Sequence, residues 1–258
     1  MTIPLALPPW KKLGKKLEST CRKALFDFKM LENTPKVAIA LSGGKDSLTL
    51  LFLLKAIVGH GFPHVDLAAI HVSGTFSCGA SLQEKYLSEI CDKLEIPLIT
   101  RTSSQELETL ECYSCSRMRR KLIFEAAKEI GAVTIAFGHH RDDNAQTLLL
   151  NLLQKGEFAG MLPILDMVDF GITIIRPLIY AQEKEIVQFA KEYGFAKITC
   201  RCPVGQNSMR KKVDEILSEL EEFFPYARLN ISRSALIYGS DKARKKEKYD
   251  KTPTNCSK

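Results

Sequence analysis

Nothing in this chain is long and apolar enough to suggest a membrane span. No uncharged apolar run approaches the roughly 18 residues that a spanning helix needs. The longest candidate, Leu48 to Leu54, is interrupted by Thr49 and followed by Lys55. The opening residues, Met1-Thr2-Ile3-Pro4-Leu5, lack the charged start and long apolar stretch of a secretory signal. The cytoplasm is therefore the expected location, and no membrane partner is expected. No internal repeat is visible, which excludes solenoid and propeller arrays. With 45% hydrophobic and 26% charged residues, the composition excludes a mostly disordered or collagen-like chain. A length of 258 residues allows one large domain, or a main domain with a small appendage.

The net charge is +7, and its placement says more than its size. Lys11, Lys12, Lys15 and Lys16 lie near the start, and Arg117, Arg119, Arg120 and Lys121 form a tight group mid-chain. From Asp241 to Lys258 seven basic residues face three acidic ones. Each cluster alone could be a solvated face; three together point to a polyanionic partner.

The chain has eight cysteines. A cytosolic chain of this size needs no disulfide framework, so close spacing points to metal or redox chemistry. Four of them form two short pairs, Cys112-x-x-Cys115 and Cys200-x-Cys202. On spacing alone the first pair suits zinc or a redox couple. Cys21, Cys78, Cys91 and Cys256 are scattered, as small buried hydrophobes or exposed thiols would be.

Short apolar runs alternate with helical patterns. Strands are expected at Lys36–Leu41, Val65–Val72, Pro97–Arg101, Val133–Phe137 and Ile172–Ile175. Helices are expected at Trp10–Phe28, Asp46–Val58, Leu82–Leu94, Ser116–Ile130, Asp142–Leu153, Glu183–Tyr193 and, as the last clear one, Met209–Phe223. This alternation argues an α/β fold, a parallel five-stranded sheet with helices on both faces. The expected organisation is an N-terminal helical segment (1–30), a main domain (31–195) with an inserted CxxC, and a cysteine-containing helical extension (196–240). A basic tail without apolar period (241–258) reads as disordered.

The strongest signal follows the first strand: Ser42-Gly43-Gly44-Lys45-Asp46-Ser47, with a helix opening at once. Paired glycines allow a tight turn and a close approach to an anion. The helix start offers free N–H groups and a positive dipole end, which suits phosphate. The string is neither G-x-x-x-x-G-K-[ST] nor G-x-G-x-x-G, so those two nucleotide loops are excluded. A plain turn capped by Asp46 would not call for two glycines and a lysine. The string resembles the loop of the N-type ATP pyrophosphatases, the PP-loop superfamily. That resemblance implies an adenine nucleotide alpha hydrolase-like fold and cleavage of ATP to AMP and pyrophosphate. It further implies that Ser42, Gly43, Gly44 and Ser47 hold the phosphates, that Lys45 neutralises them, and that Asp46 coordinates Mg2+ or assists adenylation. It places adenine near His71, although a lone histidine there also suits a structural role.

Gly138-His139-His140-Arg141-Asp142-Asp143 falls at the carboxyl end of the fourth strand, where open α/β sheets bind ligands. The two acids could simply cap a helix, or join the histidines in a metal site. This stretch, together with Arg176-Pro177-Leu178-Ile179-Tyr180 and the sequence after it, resembles the tRNA 2-thiocytidine biosynthesis proteins over about residues 15 to 230. The resemblance implies ATP-dependent thiolation of a cytidine in the tRNA anticodon loop. It implies a [4Fe-4S] cluster held by the CxxC pair, Cys112 and Cys115, and by one distant cysteine. We take Cys202 as the third, since Pro203 fixes its backbone and its spacing to Arg210 matches the family; Cys200 is left as a neighbour or persulfide carrier. Gly138 joins the ATP-binding set. Arg119 and Asp143 join Asp46 as catalytic candidates that position ATP and the adenylated base. Arg117, Arg120 and Lys121 are candidates to grip tRNA. ATP and Mg2+ are the implied cofactors beside the cluster. The implied partners are tRNA and a cysteine desulfurase or other sulfur donor, with a homodimer left open. Rival readings are a tRNA 2-thiouridine synthetase, whose usual flanking zinc fingers are missing here, and a non-catalytic nucleotide-binding protein with a structural zinc site.

Overall fold

The computed structural model describes residues 3–74, 80–103, 112–195 and 209–240, with the backbone alone at 80–82 and 112–115. Strand β1 (Lys36–Ala40) lies in the middle of the sheet. Both of its faces are covered, so it is apolar at successive positions rather than alternating. Val37 and Ile39 pack into one hydrophobic layer, and Ala38 and Ala40 into the other. The strands are β2 (Asp66–Gly74), β3 (Leu98–Ser103), β4 (Thr134–Ala136), β5 (Ile164–Met167) and β6 (Ile172–Ile175), in the spatial order β3-β2-β1-β4-β6-β5. All pairings are parallel except β5 against β6.

One layer holds α1 (Lys12–Asp27), α2 (Lys45–Ile57), α3 (Ala80–Lys93) and α6 (Glu183–Glu192). Helix α2 is sealed on nearly every side, from Ser47 to Leu54 without a break. Its leucines and Phe52 contribute about 1.5–3 kcal/mol each on burial. They anchor the loop that precedes the helix. On the other face α4 (Cys112–Glu129) packs Phe124, Ala126 and Ala127 against Ile70, Ile135 and Ile174. Helices α5 (Arg141–Lys155), α7 (Met209–Phe223) and α8 (Ala227–Tyr238) form a third cluster around Ala145, Val213 and Leu217. Arg228 joins α8 to α7 by ion pairs to Asp214 at 2.6 Å and Glu221 at 2.9 Å, and Gln146 of α5 donates to Asp214 at 2.7 Å.

Among the described residues the sheet has six strands, not five. The extra strand, β5, is a four-residue antiparallel edge strand with an exposed Asp166, too short and too polar to show a period. Helix α8 also follows the one expected to be last; its buried residues, Arg228, Ser232 and Ala235, form no apolar stripe. No described helix is long and apolar enough to cross a membrane. Strand order reverses between β1 and β4, with β2 on one side and β4 on the other. Their carboxyl ends therefore splay around a crevice.

Candidate active site

The Gly loop leaves β1 through Leu41, whose N–H donates to Ile70 at 2.8 Å. Gly43 has φ +82°, a left-handed conformation, and a Cβ there would stand 2.4 Å from Gln83 Nε2. Gln83 in turn donates to the Ser42 carbonyl at 3.0 Å, locking the turn from α3. The hydroxyls of Ser42 and Ser47 are 3.0 Å apart, and the Ser47 hydroxyl donates to the Gly44 carbonyl at 3.0 Å. Helix α2 begins without a side-chain cap. Its first turn is thus available to an anion. Lys45 is held between two carboxylates, Asp46 at 3.1 Å and Glu183 at 3.0 Å. Burial opposes its charge, but these two acids outweigh burial and raise its pKa above the usual 10.5.

The second loop approaches this one as closely as packing allows. A Cβ on Gly138 would lie 2.9 Å from the backbone carbon of Asp46 and 3.0 Å from the Ser47 nitrogen, so only glycine fits without a backbone shift. Helix α5 closes its own start with a capping box. The His140 Nδ1 accepts from the Asp143 N–H at 3.4 Å, and the Asp143 carboxylate accepts from the His140 N–H at 3.1 Å. Accepting at Nδ1 places a proton on Nε2, which lies 3.6 Å from Asp46 Oδ1 and 3.4 Å from Asp143 Oδ2. His140 therefore stands between the acids of the two loops, close to both. Asp142 faces away and accepts from the Glu183 N–H at 2.8 Å, fastening α6 to α5.

The charges of the two acids are set in opposite directions. Burial raises the Asp46 pKa above the ordinary 3.8, against the pull of Lys45 and His140. Burial acts likewise on Asp143, but His140, His139, a backbone N–H and Arg210 prevail and hold it below 3.8. Oδ1 of Asp46 is buried without a hydrogen-bond partner. His139 lies nearly parallel to Phe137, ring centroids 5.6 Å apart, and burial together with nearby arginines pulls its imidazole down to about 3. It is neutral at any physiological pH.

These groups surround a cavity of about 280 Å³ on the α4 side of the carboxyl edge. Ser42, Asp46, Ser47, Gly138, His139 and Asp143 form its polar walls with Arg119, whose guanidinium donates to the Val72 carbonyl at 2.6 Å. Ala40, Leu41, Ile70, Val72, Ile123 and Phe137 supply an apolar bed. Gly43, Gly44 and Lys45 belong to the adjoining loop, and Gly43 is buried beneath it. His71 turns away from the cavity. Its Nδ1 lies 2.8 Å from the Leu41 carbonyl, and burial lowers its pKa, so it buttresses the end of β1. Arg117, Arg120 and Lys121 lie exposed on α4. Cys112 and Cys115 open α4, Cys115 one helical turn before Arg119. Cys200 and Cys202 lie outside the described residues. In α7, Arg210 comes within 4.0 Å of Asp143. Residue types alone do not reveal the bridge made by His140; its i, i+3 spacing to Asp143 at a helix start is the signal that could have.

A Gly loop and an acid-bearing loop meeting over one crevice define a class, and the comparisons agree. Residues 13–199 match the family described as the PP-loop domain. The tRNA-cytidine(32) 2-sulfurtransferase of Aeromonas hydrophila subsp. hydrophila is 34% identical over 84% of this chain and 74% of its own length. That of Coxiella burnetii is 36% identical over 87% of this chain and 90% of its own. Among solved structures, the U34-tRNA thiolase NcsA from Methanococcus maripaludis, described with its [4Fe-4S] cluster, superimposes with a TM-score of 0.71 at 24% identity, covering 86% of this chain and 78% of that one. This chain belongs to the PP-loop family and, within it, to the family of the tRNA-cytidine(32) 2-sulfurtransferases.

Proposed function

We propose that this protein is an ATP-dependent tRNA thiolation enzyme that replaces the C2 oxygen of cytidine 32 with sulfur, the reaction its relatives are named for. The observation that carries the reading is the meeting of the uncapped start of α2 with Asp46, Asp143 and Arg119 around one cavity. The C2 oxygen of a pyrimidine is a poor leaving group. Its attack on the α-phosphorus of ATP expels pyrophosphate and leaves an adenylated base. A sulfur nucleophile then adds at C2, and AMP departs with the oxygen.

Each residue has a place in this scheme. Gly44, Ser47 and the first turn of α2 cradle the nucleotide phosphates. Lys45 gives up a carboxylate partner to offset charge on the departing pyrophosphate. The unpartnered Asp46 oxygen suits an Mg2+ bound to ATP, which would withdraw charge from the phosphates. Asp143 stays ionised and, with His140, fixes where Asp46 points. Arg119 reaches over the cavity from α4 to the adenylated oxygen. The bed of Ile70, Val72, Ile123 and Phe137 limits access of water to the activated base.

Cys112 and Cys115, two turns and one turn before Arg119, are soft donors suited to an iron–sulfur cluster, with Cys202 as the third ligand. A [4Fe-4S] cluster so held would leave one iron free to carry sulfide. A cysteine desulfurase or another donor would supply that sulfur, and the cytoplasm, where tRNA is modified, is the setting. The test is nucleoside mass spectrometry of tRNA from a deletion strain. Loss of 2-thiocytidine is expected; loss of a 2-thiouridine with 2-thiocytidine intact would overturn the reading.

A further inference from the structure

Arg176 follows β6 and continues its alternation. Ile172 and Ile174 face the α4 layer and Ile175 the opposite one, so Arg176 projects to the α4 side, where the cavity opens. Ala136 pairs with Ile175, and the Phe137 N–H donates to Ile175 at 3.0 Å, which sets Arg176 beside the cavity wall at Phe137. Only 7% of the residue is exposed. Its Nη1 donates to the Leu162 carbonyl, its Nε is buried without a partner, and no carboxylate pairs with it among the described residues. A buried guanidinium lacking a counter-charge is costly. Arg120 repels it further, and Arg176, Arg210 and Arg120 all bear on His139. Asp143 is the acid that offsets Arg176, and Arg210 already shares it at 4.0 Å.

We infer that Arg176, with Arg120 and Arg210 at its rim, forms an anion site that takes a phosphodiester of the RNA chain beside the target nucleotide. The inference rests on RNA being the substrate. A nucleotide phosphate has the same chemistry, but β6 stands two strands from β1, about 10 Å by ordinary strand spacing. The Gly loop already offers the nucleotide its cradle. The two helices that carry Arg120 and Arg210 also expose Arg117 and Lys121 on α4 and Lys211 and Lys212 on α7, near the ends that face the site. That number of exposed cations on the two helices fits a polyanion rather than one small ligand. A guanidinium fork grips a phosphodiester in two places and positions the chain without reading its sequence.

The test measures binding of an anticodon stem-loop RNA with a methylphosphonate placed at one phosphate at a time around the target cytidine, with ATP binding measured in parallel. Arg176→Gln is expected to weaken RNA binding about tenfold at low salt and to flatten the log–log salt slope by about one. ATP affinity is expected to stay within twofold. One neutralised phosphate is expected to reproduce the loss in the wild-type protein and to cost nothing further in Arg176→Gln. An unchanged salt slope, or a loss of ATP affinity with RNA binding intact, would overturn the assignment, the second pointing to a nucleotide site. If circular dichroism shows Arg176→Gln unfolded, the scan is run on Arg120→Gln, at an exposed position; full sensitivity to the same phosphate there would overturn it. Failure of the wild-type protein to bind the stem-loop at all would strike the functional reading instead.

Discussion

The two loops over the crevice solve the same geometric problem in opposite ways. The loop before α2 is knit by hydroxyls and backbone, and it leaves its helix start uncapped. The loop before α5 uses its own residues as the cap, His140 and Asp143 each satisfying the other's backbone. An uncapped helix start is a cost unless a ligand fills it. A capped one is stable without a ligand and can hold its side chains in fixed positions. The first loop is therefore built to receive, and the second to aim. His140 stands between them, its Nε2 3.6 Å from Asp46 and 3.4 Å from Asp143.

The largest effect is expected from removing the receiving acid. Asp46→Ala should lower thiolation about 10³-fold or more while the fold persists, since its one close ion pair is to the partly exposed Lys45, which keeps Glu183 as a second partner. Near-normal tRNA thiolation by the variant, read by nucleoside mass spectrometry, would detach Asp46 from the chemistry. Next comes the contact between the loops. Gly138→Ala drives a Cβ into the Asp46 backbone. A displacement of even an ångström there should cost about 10²-fold in rate, with a loss of about 1–3 kcal/mol in stability. A variant with wild-type rate and melting temperature would show that the two loops need not touch.

His140 offers a finer cut. Asn can also cap a helix, so His140→Asn should keep α5 stable yet lose the bridge, slowing turnover about tenfold. His140→Ala should lose the bridge and, in addition, about 0.5–2 kcal/mol of stability. Equal rates for His140→Asn and the wild-type protein would mean that the ring caps and does nothing more.

The pH response separates the two acids. Asp46 has a raised pKa in the folded state, so on the acid side it loses its charge first, above 3.8. Activity should fall as pH drops through that region. Stability from this group moves the other way: the folded state binds the proton more tightly than the unfolded chain, so acid favours folding between the two values. Asp143, held below 3.8, contributes stability that is present above that value and is lost as pH falls through its folded pKa. Lys45 lowers the Asp46 pKa, so Lys45→Met should shift the acidic limb of the rate profile upward. A limb near 6.5 that vanishes in a His139 variant would contradict the neutral imidazole described above. The smallest effect is expected at Glu183, a half-exposed partner of Lys45. Glu183→Gln should change the ATP KM only two- to fivefold, as partly exposed ion pairs contribute little.

Much of the scaffold was legible because buried parallel strands carry their own signature. Runs such as Val37 to Ala40 between turn residues cannot be mistaken for surface helices. Strand β5 was not legible, since an edge strand of four residues with Asp166 outward shows neither alternation nor a continuous apolar run. Helix α8 escaped because its buried face is made of Arg228, Ser232 and Ala235, held by hydrogen bonds and ion pairs rather than by an apolar stripe. At the site, the Gly string and the paired acids announce themselves by residue type. The tasks of His71, His140 and Gly138 depend on what lies across the crevice, which spacing along one chain does not encode. His71 holds the end of β1 from behind, and Gly138 admits the Asp46 backbone.

In the proposed reaction this crevice couples ATP cleavage to exchange of oxygen for sulfur on one base. The most direct test combines anaerobically prepared protein, ATP, Mg2+, sulfide and tRNA, with AMP, pyrophosphate and thionucleoside quantified together. One AMP and one pyrophosphate are expected for each 2-thiocytidine formed at position 32, the site named for the relatives, with all three products lost together in Asp46→Ala. Formation of ADP and phosphate, or 2-thiocytidine accumulating without AMP, would contradict it.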